Sequence, residues 1–370
     1  METKFGFGCM RLPMNGDEVD YAEFNRMIDY YMDAGFNYFD TAHGYLDGKS
    51  ETAIRDCLAA RYPRESYILT DKLTDTYFKS EADIRPFFES QLAATGVEYF
   101  DYYLMHSQTA ETYEYFMARN AYEVVKSLKA ESRVRHIGIS FHDKASVLDK
   151  ILSEHPEIEV VQIQFNYADF NSPSVESRKV YETCHRYNKP ILVMEPVKGG
   201  ALVRLPGKAK EIFAAIDENA SPASFAIRFA ASFDGMFKVL SGMSDMEQMR
   251  DNVATMRDFK PFTPAEYEAV DKVCAILNEL GGIPCTACRY CTAGCPRHIL
   301  IPDLFGCYNA KKQFNDWNSN FYYGLHTREN GKASDCIGCR QCERICPQHL
   351  PITSLLKEVA AMFETGEQAE

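Results

Sequence analysis

The sequence is short of several things that would have settled its class early. Basic residues are too few: 40 lysines and arginines stand against 53 acidic residues, a formal net charge of −13. Such a chain has no general means of neutralising a phosphate backbone, so nucleic acid and anionic membrane surfaces are disfavoured as partners. Long hydrophobic runs are missing too. No stretch of 18 apolar residues occurs, which argues against a membrane span. The opening "METKFGFGCMRLP" has neither the basic segment nor the apolar core of a secretory signal. Its first strand-like run is not followed by GxGxxG, the phosphate-binding turn of an open dinucleotide-binding sheet. Tryptophan occurs once, at Trp317.

Cysteine is what the chain has in quantity. Five of the 13 are scattered (Cys9, Cys57, Cys184, Cys274, Cys307) and eight fall in two short motifs. With no export signal, metal ligation in a reducing compartment is expected rather than a disulfide framework, and the location expected is cytoplasmic.

The first 260 or so residues alternate strand-like and helix-like segments. Strands are predicted at 4–8, 37–42, 67–73, 101–107, 134–140, 160–166, 190–196 and 237–242. Helical spacing runs from Phe24 through Met27, Ile28 and Tyr31 to a terminating glycine, and again from residue 81 to Gly96. Ser221 and Pro222 form a cap and first turn for another helix. Eight strands separated by helices in about 250 residues imply parallel βαβ units closed into a (β/α)8 TIM barrel. In that fold, catalytic side chains stand at the carboxyl ends of the strands. Those ends carry Asp40, with Tyr45 five residues on, then Lys72 and His106.

The motif "DTAHGY" (40–45), the lysine of "ILTDK" (68–72), "YYLMH" (102–106) and the barrel rhythm resemble the aldo-keto reductase family over roughly residues 3–260. The resemblance implies a catalytic tetrad of Asp40, Tyr45, Lys72 and His106. The residue types suit that chemistry. A phenol is a poor acid or base at neutral pH, an adjacent ammonium would lower its pKa, and a carboxylate would hold that ammonium in place. An imidazole could polarise a carbonyl oxygen.

The resemblance also implies an NAD(P)H site. The nicotinamide is expected near Gly8, Cys9 and Met10, with its carboxamide near Ser140 and Gln162. Met194 stands where many relatives stack a tyrosine, and Phe141 and His142 follow Ser140 where many have asparagine. The adenine end is expected near Gly242, Met243, Gln248 and Asn252. Relatives that use NADP carry basic residues at positions resembling Gly242 and Gln248, so NAD and NADP both remain open, with only Arg250 or Arg257 to meet a 2′-phosphate.

A helix is predicted over 262–282, ending in a double glycine. The barrel is expected to occupy 1–262, a connecting helix 263–282, and a small α+β ferredoxin-like domain 283–370. "CTACRYCTAGCP" (285–296) and "CIGCRQCERICP" (336–347) both read C-x2-C-x2-C-x3-C-P. This is the run of bacterial ferredoxins that hold two 4Fe–4S clusters, in which the fourth cysteine serves the other cluster. One cluster is then expected on Cys285, Cys288, Cys291 and Cys346, and the other on Cys336, Cys339, Cys342 and Cys295. Zinc, the alternative metal, favours paired knuckles totalling four ligands and lacks the third cysteine and trailing proline. "HILIPDLF" and "HLPITSLL" repeat the same half-unit after each motif. Phe314, Trp317, Phe321, Tyr322 and Tyr323 in the intervening insert are expected to pack against the barrel or a partner.

Function is expected to be interconversion of a small carbonyl compound and its alcohol by hydride transfer. Hydride carries two electrons and a cubane one, and no flavin site is readable to convert between them. An electron-transfer protein serving a ferredoxin-like partner and a non-turnover redox sensor that binds the nucleotide are therefore the other readings. Substrate loops are expected at 74–80, 108–119 and 167–175, with Tyr77, Phe78 and Tyr167 as exposed aromatics.

Overall fold

A computed structural model describes residues 3–172, 175–283, 285, 289–315, 318–346 and 350–364. Eight parallel strands close into a barrel: Phe5–Gly8, Tyr38–Asp40, Ile68–Leu73, Phe100–Gln108, Val134–Phe141, Val160–Gln164, Ile191–Met194 and Met236–Gly242. The last pairs with the first, Gly8 lying opposite Gly242 on one side and Asp40 on the other. A short hairpin, Met14–Asn15 with Glu18–Val19, follows the first strand.

The helix Tyr21–Asp33 starts where Asp20 accepts a hydrogen bond from the Glu23 amide, and it buries Phe24, Met27, Ile28 and Tyr31. Phe5 and Phe7 meet that face, Phe7 against Phe24 with ring centroids 5.8 Å apart. Helix Glu81–Thr95 opens on a Ser80/Asp83 capping box and ends at Gly96, whose φ of +70° suits glycine. Inside the barrel, Tyr38, Leu104, Val160, Leu192 and Leu240 form one buried layer. Gly138 is needed there, because a Cβ on it would lie 2.5 Å from both Leu104 Cδ2 and Val160 Cγ1.

The chain divides into two compact units. One comprises the barrel strands up to Asn171, Val175–Val197 and Ala223–Phe262; the other combines Lys198–Pro222 with the residues from Thr263 onward. In the second unit, helix Pro264–Glu279 begins with a Thr263/Glu266 capping box and buries Ala269, Val270, Val273 and Leu277. Helices Ile301–Phe314 and Ile352–Phe363 contribute Leu304, Phe305, Leu356 and Val359 to a core of this unit's own. Tyr323 stacks on Phe363 at 4.5 Å within it, so this aromatic of the insert packs inside its own unit. Tyr322 is exposed. Trp317 and the side chains of Phe314 and Phe321 lie outside the described residues. No helix among the described residues is long and apolar enough to cross a membrane.

Candidate active site

Asp40, Lys72 and His106 leave three successive strands at the carboxyl end, and their side chains meet the phenol of Tyr45. Lys72 is fully buried. Its Nζ donates to Asp40 Oδ1 at 2.7 Å, to the Thr41 carbonyl at 2.7 Å and to Tyr45 OH at 3.2 Å. Tyr45 is delivered by a tight turn in which Leu46 and Asp47, neither of them glycine, hold φ of +53° and +55° before Gly48. Backbone of this kind persists only where the surroundings hold it in place. Ser107 and Glu195 sit at positive φ directly after His106 and Met194, so three strand exits on this face carry the same distortion.

Burial lifts the Tyr45 phenol above its ordinary pKa; Lys72 pulls it down and Asp40 pushes it up again. The sequence argument foresaw only the pull of the lysine. Desolvation wins, and Tyr45 is a protonated acid at neutral pH. Burial alone would lower the Lys72 ammonium, but Asp40 and Tyr45 outweigh it and the net shift is upward. Asp40 is raised by burial and held down by Lys72 and by Gln162, whose Nε2 lies 3.1 Å from Asp40 Oδ2. His106 is driven well below its usual value by burial, Lys72 and His142, which leaves a neutral imidazole. Its Nδ1 lies 2.7 Å from Thr74 Oγ1, and its ring centroid 6.2 Å from that of Tyr45.

The expected cofactor residues fall into three groups. Ser140 and Gln162 are buried and directly opposite in register on the fifth and sixth strands. The Ser140 hydroxyl accepts from the Ser107 amide at 2.7 Å, which leaves its O–H to donate, while Gln162 keeps its carbonyl oxygen. Gly8, Met194 and Gly242 stand at strand ends on the same face. Cys9 and Met243 are fully buried, and burial pushes the Cys9 thiol far up; Met10 is exposed. The amide groups at the adenine end are occupied. Gln248 caps its own helix, bonded to Asp245 Oδ2 and to the Ser244 amide, and Asn252 donates to Ser241 Oγ at 2.8 Å. Arg250 is exposed, and Arg257 lies 3.8 Å from Asp258.

Several site residues went unread in the sequence. Arg11 runs its alkyl stem along Gly242, with Cβ 3.4 Å from the point a Gly242 Cβ would occupy. Thr74 fixes His106. Behind Lys72, on the outer side of its strand, Asp71 faces Glu51 from helix Lys49–Ile54. Gln91 Nε2 reaches Asp71 Oδ1 at 3.1 Å and the Lys72 carbonyl at 3.0 Å, and Tyr103 OH donates to Gln91 Oε1 at 2.5 Å. Glu51 Oε2 meets His43 Nδ1 at 2.7 Å. Asp71 Oδ2 is buried with no donor of its own, and both carboxyls are raised, Glu51 by burial to about 7 and Asp71 by burial and by Glu51. A proton shared between them is the arrangement two buried carboxyls adopt. Among the loop aromatics, Tyr77 is exposed and packs edge-on to His43 at 4.6 Å. Phe78 and Tyr167 are buried, contrary to expectation.

In the second unit, Cys295, Cys336, Cys339 and Cys342 line one small cavity that is partly open to solvent. These are the four cysteines the crosswise pattern assigns to one cluster. Among the described residues no three His, Cys, Asp or Glu side chains stand close enough to hold a single metal ion. The C-x2-C-x2-C-x3-C-P spacing of the residues is that of a cubane domain rather than a zinc knuckle. Of the other set, Cys291 is buried and Cys285 and Cys346 are half-buried; Cys288 lies outside the described residues.

The model of the aldo/keto reductase family matches residues 4–275. The chain belongs to the aldo/keto reductase family. Residues 284–351 match the 4Fe-4S dicluster domain. Similar proteins include the "uncharacterized oxidoreductase YqkF" of Bacillus subtilis, 22% identical over 68% of this chain and 86% of its own length. The acetyl-CoA decarbonylase/synthase complex subunit alpha 1 of Methanosarcina acetivorans is 32% identical over 20% of this chain and 8% of that protein. Among solved structures, aldo-keto reductase AKR11C1 from Bacillus halodurans (holo form) superposes with a TM-score of 0.60 at 23% identity, covering 73% of this chain and 91% of that one. An aldo-keto reductase from Klebsiella pneumoniae in complex with NADPH gives 0.58 at 17% identity over 73% and 90%. At these identities the structural likeness concerns the barrel fold.

Proposed function

We propose that the barrel reduces an aldehyde or ketone to its alcohol with NAD(P)H, and that the cysteine-rich unit carries two 4Fe–4S clusters. The observation that carries the first part is the buried ammonium of Lys72 bridging Asp40 and Tyr45. The neutral imidazole of His106 donates a hydrogen bond to the carbonyl oxygen and fixes its direction. Tyr45 then gives its proton to the oxygen as negative charge develops there. Lys72 steadies the phenolate left behind, Asp40 keeps the lysine charged, and Gln162 keeps Asp40 in place. The bound nicotinamide would supply the hydride.

The Ser140 hydroxyl and the Gln162 carbonyl are the donor and acceptor a carboxamide requires, side by side on adjacent strands. The Met194 thioether would lie against the ring, with Gly8, Cys9 and Met10 beside it. Gly242, Met243, Gln248 and Asn252 would receive the adenine end, with the stem of Arg11 beside Gly242. The NADPH carried by the Klebsiella reductase supports this reading. Cys285, Cys288, Cys291 and Cys346 would ligate one cluster, and Cys336, Cys339, Cys342 and Cys295 the other. All eight thiols are then used, no iron is open to substrate, and the clusters act in structure or in one-electron exchange with a ferredoxin-like carrier. A reducing, cytoplasmic setting suits them.

The test is anaerobic turnover of an aldehyde and ketone panel by cluster-loaded protein, with Tyr45→Phe beside it. The variant is expected to lose about a hundredfold or more in kcat while binding the nucleotide unchanged. Tight nucleotide binding with no carbonyl turned over by either protein would refute the reductase reading in favour of a sensor.

A further inference from the structure

The two cysteine motifs serve as controls for each other, because they are repeats of one half-unit whose residues correspond position by position. Arg289 of the first corresponds to Arg340 of the second, Thr286 to Ile337, Ala293 to Arg344 and Gly294 to Ile345. The second motif therefore carries two large apolar residues and one more arginine where the first has small uncharged ones, together with Glu343 for Thr292 and Gln341 for Tyr290.

The surroundings widen the contrast. Arg289 is neutralised by a two-pronged pair with Asp303, at 2.6 and 3.0 Å. Arg340 is exposed and lies 3.8 Å from Glu343, and Glu343 Oε1 is already taken by the amide and hydroxyl of Thr353. Arg344 is exposed and reaches across the loop to the Cys339 carbonyl at 3.4 Å. Arg297, also exposed, lines the cavity of the second cysteine set together with Arg340 and Ile337. Ile337 and Ile345 are 59% and 55% exposed, the highest values among the exposed large hydrophobics. Cys339, one of the four cysteines of that cavity, is itself exposed.

On a chain of net charge −13, Ile337, Arg297 and Arg340 line the cavity of the second cysteine set and Arg344 bonds the carbonyl of its Cys339, a basic and apolar patch opposite in sign to the chain as a whole. We infer that this face is the docking site of an acidic one-electron carrier protein, and that electrons pass there to or from the cluster held by Cys336, Cys339, Cys342 and Cys295. The inference rests on that cluster being present. The exchange is a bare electron transfer: the reduced iron–sulfur centre of the carrier loses one electron and this cluster gains one, with no bond made or broken. Encounter is steered by complementary charge, and a small apolar contact suits a complex that must part quickly.

The experiment uses the full chain with clusters loaded anaerobically, iron and sulfide being counted first. A reduced small acidic ferredoxin carrying two 4Fe–4S clusters is mixed with it in stopped flow, and the absorbance of the accepting clusters is followed. Reduced methyl viologen, too small to need a docking surface, is the parallel reductant. Arg340→Glu with Arg344→Glu is expected to slow reduction by the ferredoxin at least tenfold at low salt and to flatten its salt dependence. Reduction by viologen stays the same, as does the rate of Ala293→Glu at the corresponding place in the first motif. An equal ferredoxin rate in the charge-reversed protein overturns the inference, and so does a fully loaded protein that viologen reduces and the ferredoxin does not. A dimer of this chain that dissociates on charge reversal would make a second copy the occupant instead, which also overturns it. Failure to assemble the second cluster, seen in the iron count before any kinetics, overturns the cluster reading beneath it.

Discussion

Replacing Glu51 with glutamine should make the barrel more resistant to alkaline pH. The Glu51 side chain has no exposed surface, and its neighbours are Asp71 from the third strand, Gln91 from helix Glu81–Thr95 and His43 from the loop after the second strand. Lys72 and Tyr103 lie one contact further away. Burial holds its proton until about pH 7, against an ordinary value of 4.5. The folded protein thus keeps a proton that the unfolded chain has already released, so stability is fullest below the ordinary value and falls as pH rises through the folded one. At 1.36 kcal/mol per unit the whole shift is about 3 kcal/mol, most of which is lost between about pH 5 and about pH 8. For a domain of this size each kcal/mol moves the melting temperature by roughly 2–4 °C, which gives a fall of about 5–10 °C. In Glu51→Gln the amide can donate to Asp71 and the second acid is gone, so that fall should shrink to what the burial of Asp71 alone leaves. Circular-dichroism melts of both proteins at a fixed scan rate, at four pH values across the range, read the difference directly. A gap between the two melting temperatures that stays constant with pH would refute the shared-proton arrangement.

Lys72→Met should leave the Asp40 carboxylate buried without its ammonium. The expected cost is about 3–5 kcal/mol of stability, measured by urea unfolding, together with loss of turnover. Gly138→Ala should be unusually harmful for so small a change, because its Cβ would meet the backbone oxygen of Val160 at 2.7 Å as well as the two side chains; soluble yield and melting temperature report it. Cys295→Ala should remove one cluster only, the one shared with Cys336, Cys339 and Cys342. Iron would fall from about eight to about four atoms per chain with an intact EPR signal from the other centre, whereas loss of the cluster on Cys285, Cys288 and Cys291 would show that the ligands are not crossed.

The strand ends were readable because a barrel strand announces itself twice, by its apolar run and by its interval from the next, so Asp40, Lys72 and His106 could be located as exits. Gln162 and Ser140 were found through resemblance, but the role of Gln162 in bonding Asp40 was not, since it links strands more than 120 residues apart. The Glu51–Asp71–Gln91 group had no signal at all. Its members lie on three elements, each looks like a solvated polar residue in its own stretch, and only the packing of helix on strand removes them from water. The net pKa of Tyr45 failed for the same reason: the lysine was visible, and the desolvation that outweighs it was not. Phe78 and Tyr167 were misjudged because a loop aromatic has no periodicity to tell inside from outside. The dicluster motifs were legible because metal ligation constrains spacing along the chain itself.

The chain leaves the barrel unit after Val197 and rejoins it at Ala223, and Lys198–Pro222 belongs with the cysteine-rich unit. Within that unit, helix Gly207–Ala214 packs against helix Pro264–Glu279. The first helix and most of the second lie within the residues matched to the reductase family, which run to 275, so the border of the folded unit and the border of the family fall at different places in the chain. Cutting the gene after codon 262 would strand helix Gly207–Ala214 without its partner, and grafting the tail onto another barrel would carry one helix of the pair without the other.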